Sequence, residues 1–446
     1  MKKFSFSLIT FYCCIYLSDP YTYALKIEIT QGQVRPDPIA ITNFYSTDST
    51  LQDLGENISK VVSDDLQRSG LFEPITRDAF IQTEASLIKA VPRYADWRLI
   101  KARFLVCGTI RYEGITNVTI SFRLYDVITG QQMLGLSLSA ERLKWRKLSH
   151  IIADTIYSRI TNEKGLFNTH IVYSEVVGGR GKTQKRLMRA DQDGENRQAL
   201  TDGKSLVLMP RFSPDGKKIA YLKYSKNAAF VHVMDLSDGK EKTLGGLDKH
   251  LRNFGEMTFA PRFLPDSKSL IMSLVKDGKS AIYHYNLITG TLEPLTAHRS
   301  IDTSPCASPD GKQIVFTSDR DREGGEQMFI MDIKGGNVRR ISWGEGKYSQ
   351  PVWSPRGDYI AFTKQHKGRF YIGLMSPEGT SERLIAQGYL VEAPSWSPNG
   401  RYLVFTKEDK SSGPGRIVMM DLTGTHQILI KTTGDVSDCT WSPLLD

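Results

Sequence analysis

One short frame recurs through the chain, and it constrains the fold more than any other feature. Pro210-Arg211-Phe212-Ser213-Pro214-Asp215-Gly216 precedes the apolar run Ile219-Ala220-Tyr221. The frame returns at Pro261-Arg262-Phe263-Leu264-Pro265-Asp266, at Pro305-Cys306-Ala307-Ser308-Pro309-Asp310-Gly311, at Pro351-Val352-Trp353-Ser354-Pro355-Arg356-Gly357 and at Pro394-Ser395-Trp396-Ser397-Pro398-Asn399-Gly400. A truncated copy, Cys439-Thr440-Trp441-Ser442-Pro443, stands near the end. The steps between copies are 51, 44, 46, 43 and 45 residues. Ser-Pro-Asp-Gly is turn chemistry: Pro presets φ, Asp caps the turn and Gly accepts the left-handed position. The β-branched and aromatic run behind each turn reads as a buried strand. A period of about 45 residues holds four short strands and their turns, which is one propeller blade.

Six copies predict six blades. The first apolar strand, His170-Ile171-Val172-Tyr173-Ser174, has no Ser-Pro turn before it, and Ser442-Pro443 has no apolar strand after it. Joining the two completes the sixth blade from both ends of the domain and leaves no free sheet edge. The closure places Cys306 and Cys439 in opposite blades, so both are expected to be buried free thiols.

Residues 25–165 carry a different pattern. Ile39-Ala40-Ile41 reads as a strand, and Leu51, Leu54, Ile58, Val61, Val62 and Leu66 recur at helical spacing, with Gly70 suited to the helix end. Phe104–Gly108 reads as a core strand. Val118, Ile120, Phe122 and Leu124 alternate with polar residues, as do Met133 and Gly135 after the Thr129-Gly130 turn, predicting a hairpin with one buried face. Leu148, Ile151, Ile152, Ile156 and Ile160 return to helical spacing, and Glu163-Lys164-Gly165 reads as the joint. The fold class expected is therefore two domains: a small N-terminal α/β domain followed by a six-bladed β-propeller closed by its N- and C-terminal strands. The divisions are 1–24, 25–165 and 166–446. Residues 1–24 read as a secretory signal peptide, with Lys2 and Lys3 ahead of an apolar stretch and the small residues Thr22 and Ala24 at a cleavage site after Ala24.

The chemistry-bearing motifs of enzymes are missing from the sequence. None of the eight histidines sits four residues from another, and there is no His-Glu-x-x-His, Cys-x-x-Cys, Gly-x-Ser-x-Gly or Walker-type loop. No metal and no cofactor are expected. Glycine clusters such as Gly178-Gly179-Arg180-Gly181 and Gly335-Gly336 read as turns. The net charge of +9 comes from dispersed basic residues, the densest run being Lys182 to Arg189, so a solvated face is expected and nucleic acid is not. Asp302, Glu392 and Asp438 lie just ahead of the residue that opens an inner strand. They read as polar rim residues for a protein partner; the alternative is an acid and base in a channel hydrolase.

Four features stand together: the signal peptide, the α/β domain, the sixfold Ser-Pro propeller and the ending Trp441-Ser442-Pro443. With them come Leu25-Lys26-Ile27-Glu28-Ile29-Thr30-Gln31-Gly32 at the expected mature start, Leu66-Gln67-Arg68-Ser69-Gly70-Leu71-Phe72 at the helix end and Thr317-Ser318-Asp319-Arg320 after the third core strand. This combination resembles the TolB family, the periplasmic component of the Tol–Pal system of Gram-negative bacteria, over the whole mature chain. The resemblance implies a non-enzymatic, monomeric periplasmic adaptor, peripheral to the envelope, that serves outer-membrane integrity and invagination during cell division. It implies binding of the peptidoglycan-associated lipoprotein by the propeller face around the channel mouth. Carried onto this sequence, that face is Met209, Phe259, Ala260, Asp302, Thr303, Ser304, Ser349, Gln350, Glu392, Ala393 and Asp438. It also implies that Leu25, Lys26, Ile27, Glu28, Ile29 and Thr30 engage the inner-membrane protein TolA; their alternation suits an edge strand or a detachable ligand. Two departures stand out: Leu208-Met209 and Thr258-Phe259 make two blade mouths apolar, and Cys439 replaces the proline of the other copies.

Overall fold

The computed structural model describes residues 35–178, 184–225, 228–244, 257–276, 278–297, 299–321, 325–411 and 413–445. The expected signal peptide, the segment Leu25–Thr30 and the glycines Gly179 and Gly181 lie outside them.

The α/β part is one five-stranded sheet, ordered β2-β1-β3-β4-β5, built from β1 (Asp37–Tyr45), β2 (Phe72–Pro74), β3 (Phe104–Glu113), β4 (Asn117–Asp126) and β5 (Gln131–Glu141). β1 runs parallel to β2 and β3, and β3, β4 and β5 follow as antiparallel neighbours. Alternation along β1 sends Ile39 and Ile41 to one face and Ala40 to the other, so the sheet needs cover on both sides. The helices α1 (Gln52–Arg68) and α4 (Trp145–Thr161) cover the first face with Leu54, Ile58, Val62, Leu66, Ile152 and Ile156. The short helices α2 (Glu84–Lys89) and α3 (Tyr94–Leu99) cover the second, where Leu87 and Trp97 pack on Ala40, Leu105 and Cys107. Both long helices were expected from their spacing, and both short ones escaped it. The Trp97 indole nitrogen donates to Gln82 Oε1 at 2.9 Å.

The buried face of the hairpin differs by one residue from the sequence expectation on β5. Leu124 pairs with Leu134 and Tyr125 with Gln132, so Met133 is the extra residue of a bulge. Beyond the bulge Leu134, Leu138 and Ala140 follow the inward side chains of β4, Met133 packs on the same core from the bulge itself, and Gly135 is exposed.

The propeller consists of six four-stranded sheets. The inner strands of blades 1 to 5 are Val207–Phe212, Met257–Phe263, Asp302–Ala307, Lys347–Trp353 and Leu390–Trp396. The sixth blade is the composite expected from the sequence. Val436–Trp441 forms its inner strand and pairs with His170–Val176, Thr440 facing Val172 and Trp441 facing Ile171. The Ser-Pro turns close as their chemistry requires. The Gly216 N–H donates to the Ser213 carbonyl at 2.8 Å with φ at +69°, and Gly311, Gly357 and Gly400 repeat the bond at 2.9 Å. Cys306 and Cys439 are buried free thiols, as expected, and so is Cys107. Burial pushes Cys107 up to about 11 and Cys439 up to about 12.

The α/β part and the propeller share one hydrophobic cluster, running from Ile58 and Phe72 through Tyr157 and Phe167 to Tyr402, Ile417 and Trp441. Polar contacts reinforce it on the Ser-Pro side. Asn399, in the turn of blade 5, donates to the Lys164 carbonyl at 3.1 Å, and Arg401 Nε reaches both carboxylate oxygens of Glu163 at 2.9 and 2.8 Å. At the joint, the Asp154 carboxylate accepts three successive backbone N–H groups from Leu166, Phe167 and Asn168 at 2.6, 2.7 and 2.8 Å. Gly165 is required there, because a Cβ would stand 2.1 Å from Asp154 Oδ1. The α/β part therefore occupies the Ser-Pro face, and the opposite end of the channel is left to the beginnings of the inner strands.

Candidate functional site

The residues that begin the inner strands share a backbone device. Met209, Ala260, Ser304, Gln350, Ala393 and Asp438 have φ between +50 and +55° (54, 50, 52, 50, 55 and 55°), a left-handed conformation that costs an L-residue roughly 1–2 kcal/mol. Each sits at a register shift in which it and its successor oppose one residue of the next strand. The opposed residues are Tyr221, Met272, Phe316, Phe362, Phe405 and Tyr173, all fully buried. The bulge explains how proline, which cannot donate to a ladder, occupies an inner strand five times. Cys439 takes that place in blade 6 within the same geometry. The left-handed residue recurs in all six blades, and such strain persists only where the surrounding structure holds it.

The sequence analysis placed its eleven propeller residues at this mouth, and all lie within the first four residues of an inner strand. Met209, Phe259, Ala260, Thr303, Ser304, Ser349, Gln350 and Glu392 are half-buried, whereas Asp302, Ala393 and Asp438 are buried. Gln350 stitches two blades, its Oε1 accepting the Ala393 N–H at 2.8 Å and the Thr363 hydroxyl at 3.1 Å.

Asp302 is buried and its carboxylate is engaged within the chain. Its carboxylate takes Arg320 Nη2 at 3.0 and 3.1 Å and the Ser318 hydroxyl at 2.6 Å, and its side chain is fully enclosed. The neighbouring Asp319 accepts the Ile301 N–H at 2.7 Å. Thr317-Ser318-Asp319-Arg320 is thus a lock on the start of the third inner strand, and the guanidinium, stacked 4.9 and 5.0 Å from the Phe316 and Phe329 rings, closes it. Sequence reasoning missed the lock because Arg320 reaches back from the neighbouring strand. With Asp302 committed, the acid–base trio of the hydrolase alternative does not assemble. Glu392 remains distinctive: burial and the Asp438 charge raise it to about 7.

One constellation outside the mouth has the donor set of a cation site. One ligand atom each from His150, Asp191 and Asp193 lies within 4.8 Å of the others. The Arg146 guanidinium already fills it, pairing with Asp193 and standing 3.4 Å from Asp191. His150 is held protonated as well: burial opposes its charge, but Asp65, at 2.6 Å from Nδ1, and Asp191 outweigh burial and raise it to about 10. The residues fit an ion-pair network, not a metal.

These features define a β-propeller carrying an α/β domain on one face and a bulge-lined channel mouth on the other. Two family models match: the TolB beta propeller domain over residues 157–445 and the TolB amino-terminal domain over residues 25–133. The chain belongs to the TolB family. It is 39% identical over 423 residues to the Tol-Pal system protein TolB of Gluconobacter oxydans, covering 94% of this chain and 88% of the relative. It is 48% identical over 240 residues to the protein of the same name from Paramagnetospirillum magneticum, covering 54% of this chain and 52% of the relative. The crystal structure of TolB from Acinetobacter baumannii superposes with a TM-score of 0.79 at 26% identity, over 92% of this chain and 97% of that one. The relatives are named for a system and not for a reaction, in keeping with the absence of an enzyme motif in the sequence. No helix among the described residues is long and apolar enough to cross a membrane.

Proposed function

We propose that this chain is the periplasmic adaptor of a Tol–Pal system, binding the peptidoglycan-associated lipoprotein with the bulge-lined mouth of its propeller and a TolA-type inner-membrane protein with residues 25–30. Residues 1–24 then serve as the export signal, 25–165 as the α/β domain and 166–446 as the propeller. The observation that carries the reading is the strained ring, which fixes six backbone positions around one mouth while leaving the side chains there mixed in type. Small, polar and apolar residues in turn suit a protein surface better than a substrate pocket. An adaptor with two separate epitopes couples the inner membrane to the outer envelope, and serves outer-membrane integrity and constriction at division.

Calorimetric titration of residues 25–446 with the soluble domain of the lipoprotein tests the reading. Submicromolar binding is expected, weakened at least tenfold by Thr303→Trp at the mouth. Absence of heat with both proteins folded overturns it. Deleting residues 25–33 should abolish binding of the TolA-type partner while leaving Tm within a few degrees; a collapse in stability would make that segment structural instead.

A further inference from the structure

The channel interior carries two positive charges that the described residues leave almost unanswered. Arg211 and Arg262 occupy the same place in successive blades, directly after the inner-strand proline, where the other blades have Cys306, Val352, Ser395 and Thr440. Arg211 is 7% exposed, and it donates to the carbonyl of the adjacent Pro210 at 2.7 Å. Arg262 has no hydrogen-bond or ion-pair partner among the described residues. The two guanidiniums disfavour each other: burial, then the Arg262 charge, depresses Arg211 to about 9, with the Asp438 carboxylate acting in the opposite sense, and burial lowers Arg262 as well. A fixed guanidinium offers five donors in a planar fork matched to an oxyanion, and a buried one without a partner is costly.

Both arginines line one cavity of about 380 Å³, a size typical of small-ligand sites. It opens among the five Ser-Pro turns and the Leu264-Pro265 turn, away from the bulge-lined mouth, and Phe212, Phe263, Trp353, Trp396 and Trp441 form its walls. The indole N–H groups are already spent on the wall. Trp396 donates to the Val352 carbonyl at 2.9 Å, Trp441 to Thr169 Oγ1 at 2.8 Å and Trp353 to the Gly357 carbonyl at 3.4 Å. What these rings offer a guest is therefore apolar surface.

We infer that this cavity is a binding site for a small organic carboxylate, its charged end held by Arg211 and Arg262 and its apolar body lying between the aromatic walls. The site does not depend on the adaptor reading, since it lies at the other end of the channel from the proposed partner surface.

The test uses residues 25–446 with 3-phenylpropionate, its neutral counterpart 3-phenylpropanol, and inorganic phosphate. Tryptophan fluorescence reports occupancy, and Tm reports linkage, because a ligand that binds only the native state raises it. The carboxylate is expected to change the fluorescence and raise Tm with saturation. The alcohol and phosphate should each bind at least tenfold more weakly, and Arg262→Gln should weaken the carboxylate at least tenfold without lowering the ligand-free Tm. No response to millimolar carboxylate, equal binding of the alcohol or phosphate, or unchanged affinity in a folded Arg262→Gln protein overturns the inference. The comparison of carboxylate and alcohol uses the unmodified chain, so it decides even if the variant does not fold. Titration with the lipoprotein should be unaffected by Arg262→Gln, which separates this site from the proposed partner surface.

Discussion

The Tyr402 hydroxyl donates to the main-chain carbonyl of Ser69 at 2.7 Å, so a propeller side chain caps the C-terminal end of α1. His426 Nε2 lies 2.9 Å from the Arg68 carbonyl and, facing an acceptor, must be the protonated nitrogen. The last carbonyls of a helix have no intrahelical partners, and here two are satisfied across the join between the α/β part and the propeller. Gly70 allows the approach: its φ is +71°, and a Cβ there would stand 3.0 Å from the His426 ring. Tyr402→Phe removes the donor and leaves a buried carbonyl unpaired. It should cost about 1–2 kcal/mol, read as a lower denaturant midpoint with an unchanged m-value. An unchanged midpoint would mean that the cap contributes nothing to the join.

A second polar contact on this join makes stability depend on alkaline pH. His150 on α4 meets Asp65 on α1 at 2.6 Å, with Gln192 Nε2 donating to the same aspartate at 2.8 Å and Asp191, Asp193, Arg146 and His170 around them. The folded-state pKa of His150, about 10, stands above the ordinary 6.5, so its contribution is complete below about 6.5 and is lost as pH rises toward 10. His150→Gln should therefore destabilise by about 3 kcal/mol at pH 6, with the deficit shrinking steadily through pH 7 to 10. A deficit independent of pH would show that the pair is held by packing and not by charge.

Much of this architecture is legible in the sequence because the propeller repeats its turn chemistry. Ser-Pro-Asp-Gly and its variants fix the turns locally, and the unmatched strand His170–Ser174 with the unmatched Ser442-Pro443 is enough to predict the composite blade. What escapes is set by distant partners. The three-residue strand β2 and the six-residue helices α2 and α3 are too short to show a period; Phe72 anchors β2 in the first core, and Leu87 and Trp97 anchor the helices in the second. The bulge at Met133 shifts β5 by one residue, which alternation alone cannot register. At the mouth, the sequence locates the inner-strand starts, but neither their left-handed backbone nor the capture of Asp302 by Arg320 leaves a local signal. The arginines after Pro210 and Pro261 are visible in the repeats, yet nothing local says that both line one cavity.

The bulge ring makes an unusual prediction about glycine. At Ala260, φ is +50°, where an alanine is strained and a β-branched residue more so. Ala260→Gly relieves the strain and gives back part of the gain through a more flexible unfolded chain. The net change should be between zero and about 1 kcal/mol of stabilisation. Ala260→Val should destabilise by about 2 kcal/mol or more. Both are read by denaturant unfolding, and a destabilising glycine would show that the left-handed backbone is not under strain.

Glu392 ties stability to pH in the same sense as His150, over a lower window. Burial, followed by repulsion from Asp438, raises its pKa to about 7 from the ordinary 4.5. Below about 4.5 the group is protonated in both the folded and unfolded chain and costs nothing. Between 4.5 and 7 the unfolded chain gives up the proton while the folded chain retains it, so stability falls across that window and the penalty is constant above it. Glu392→Gln should raise Tm by about 2–4 °C at pH 8 and leave it unchanged near pH 4.5, with the difference developing between. The same substitution reports on the mouth as a partner surface. If the carboxylate only repels Asp438, lipoprotein binding at pH 8 should hold or tighten in the variant, because a buried negative charge is gone. If a partner cation answers Glu392, affinity should fall at pH 8 and converge with that of the unmodified chain at pH 5, where the carboxyl is protonated.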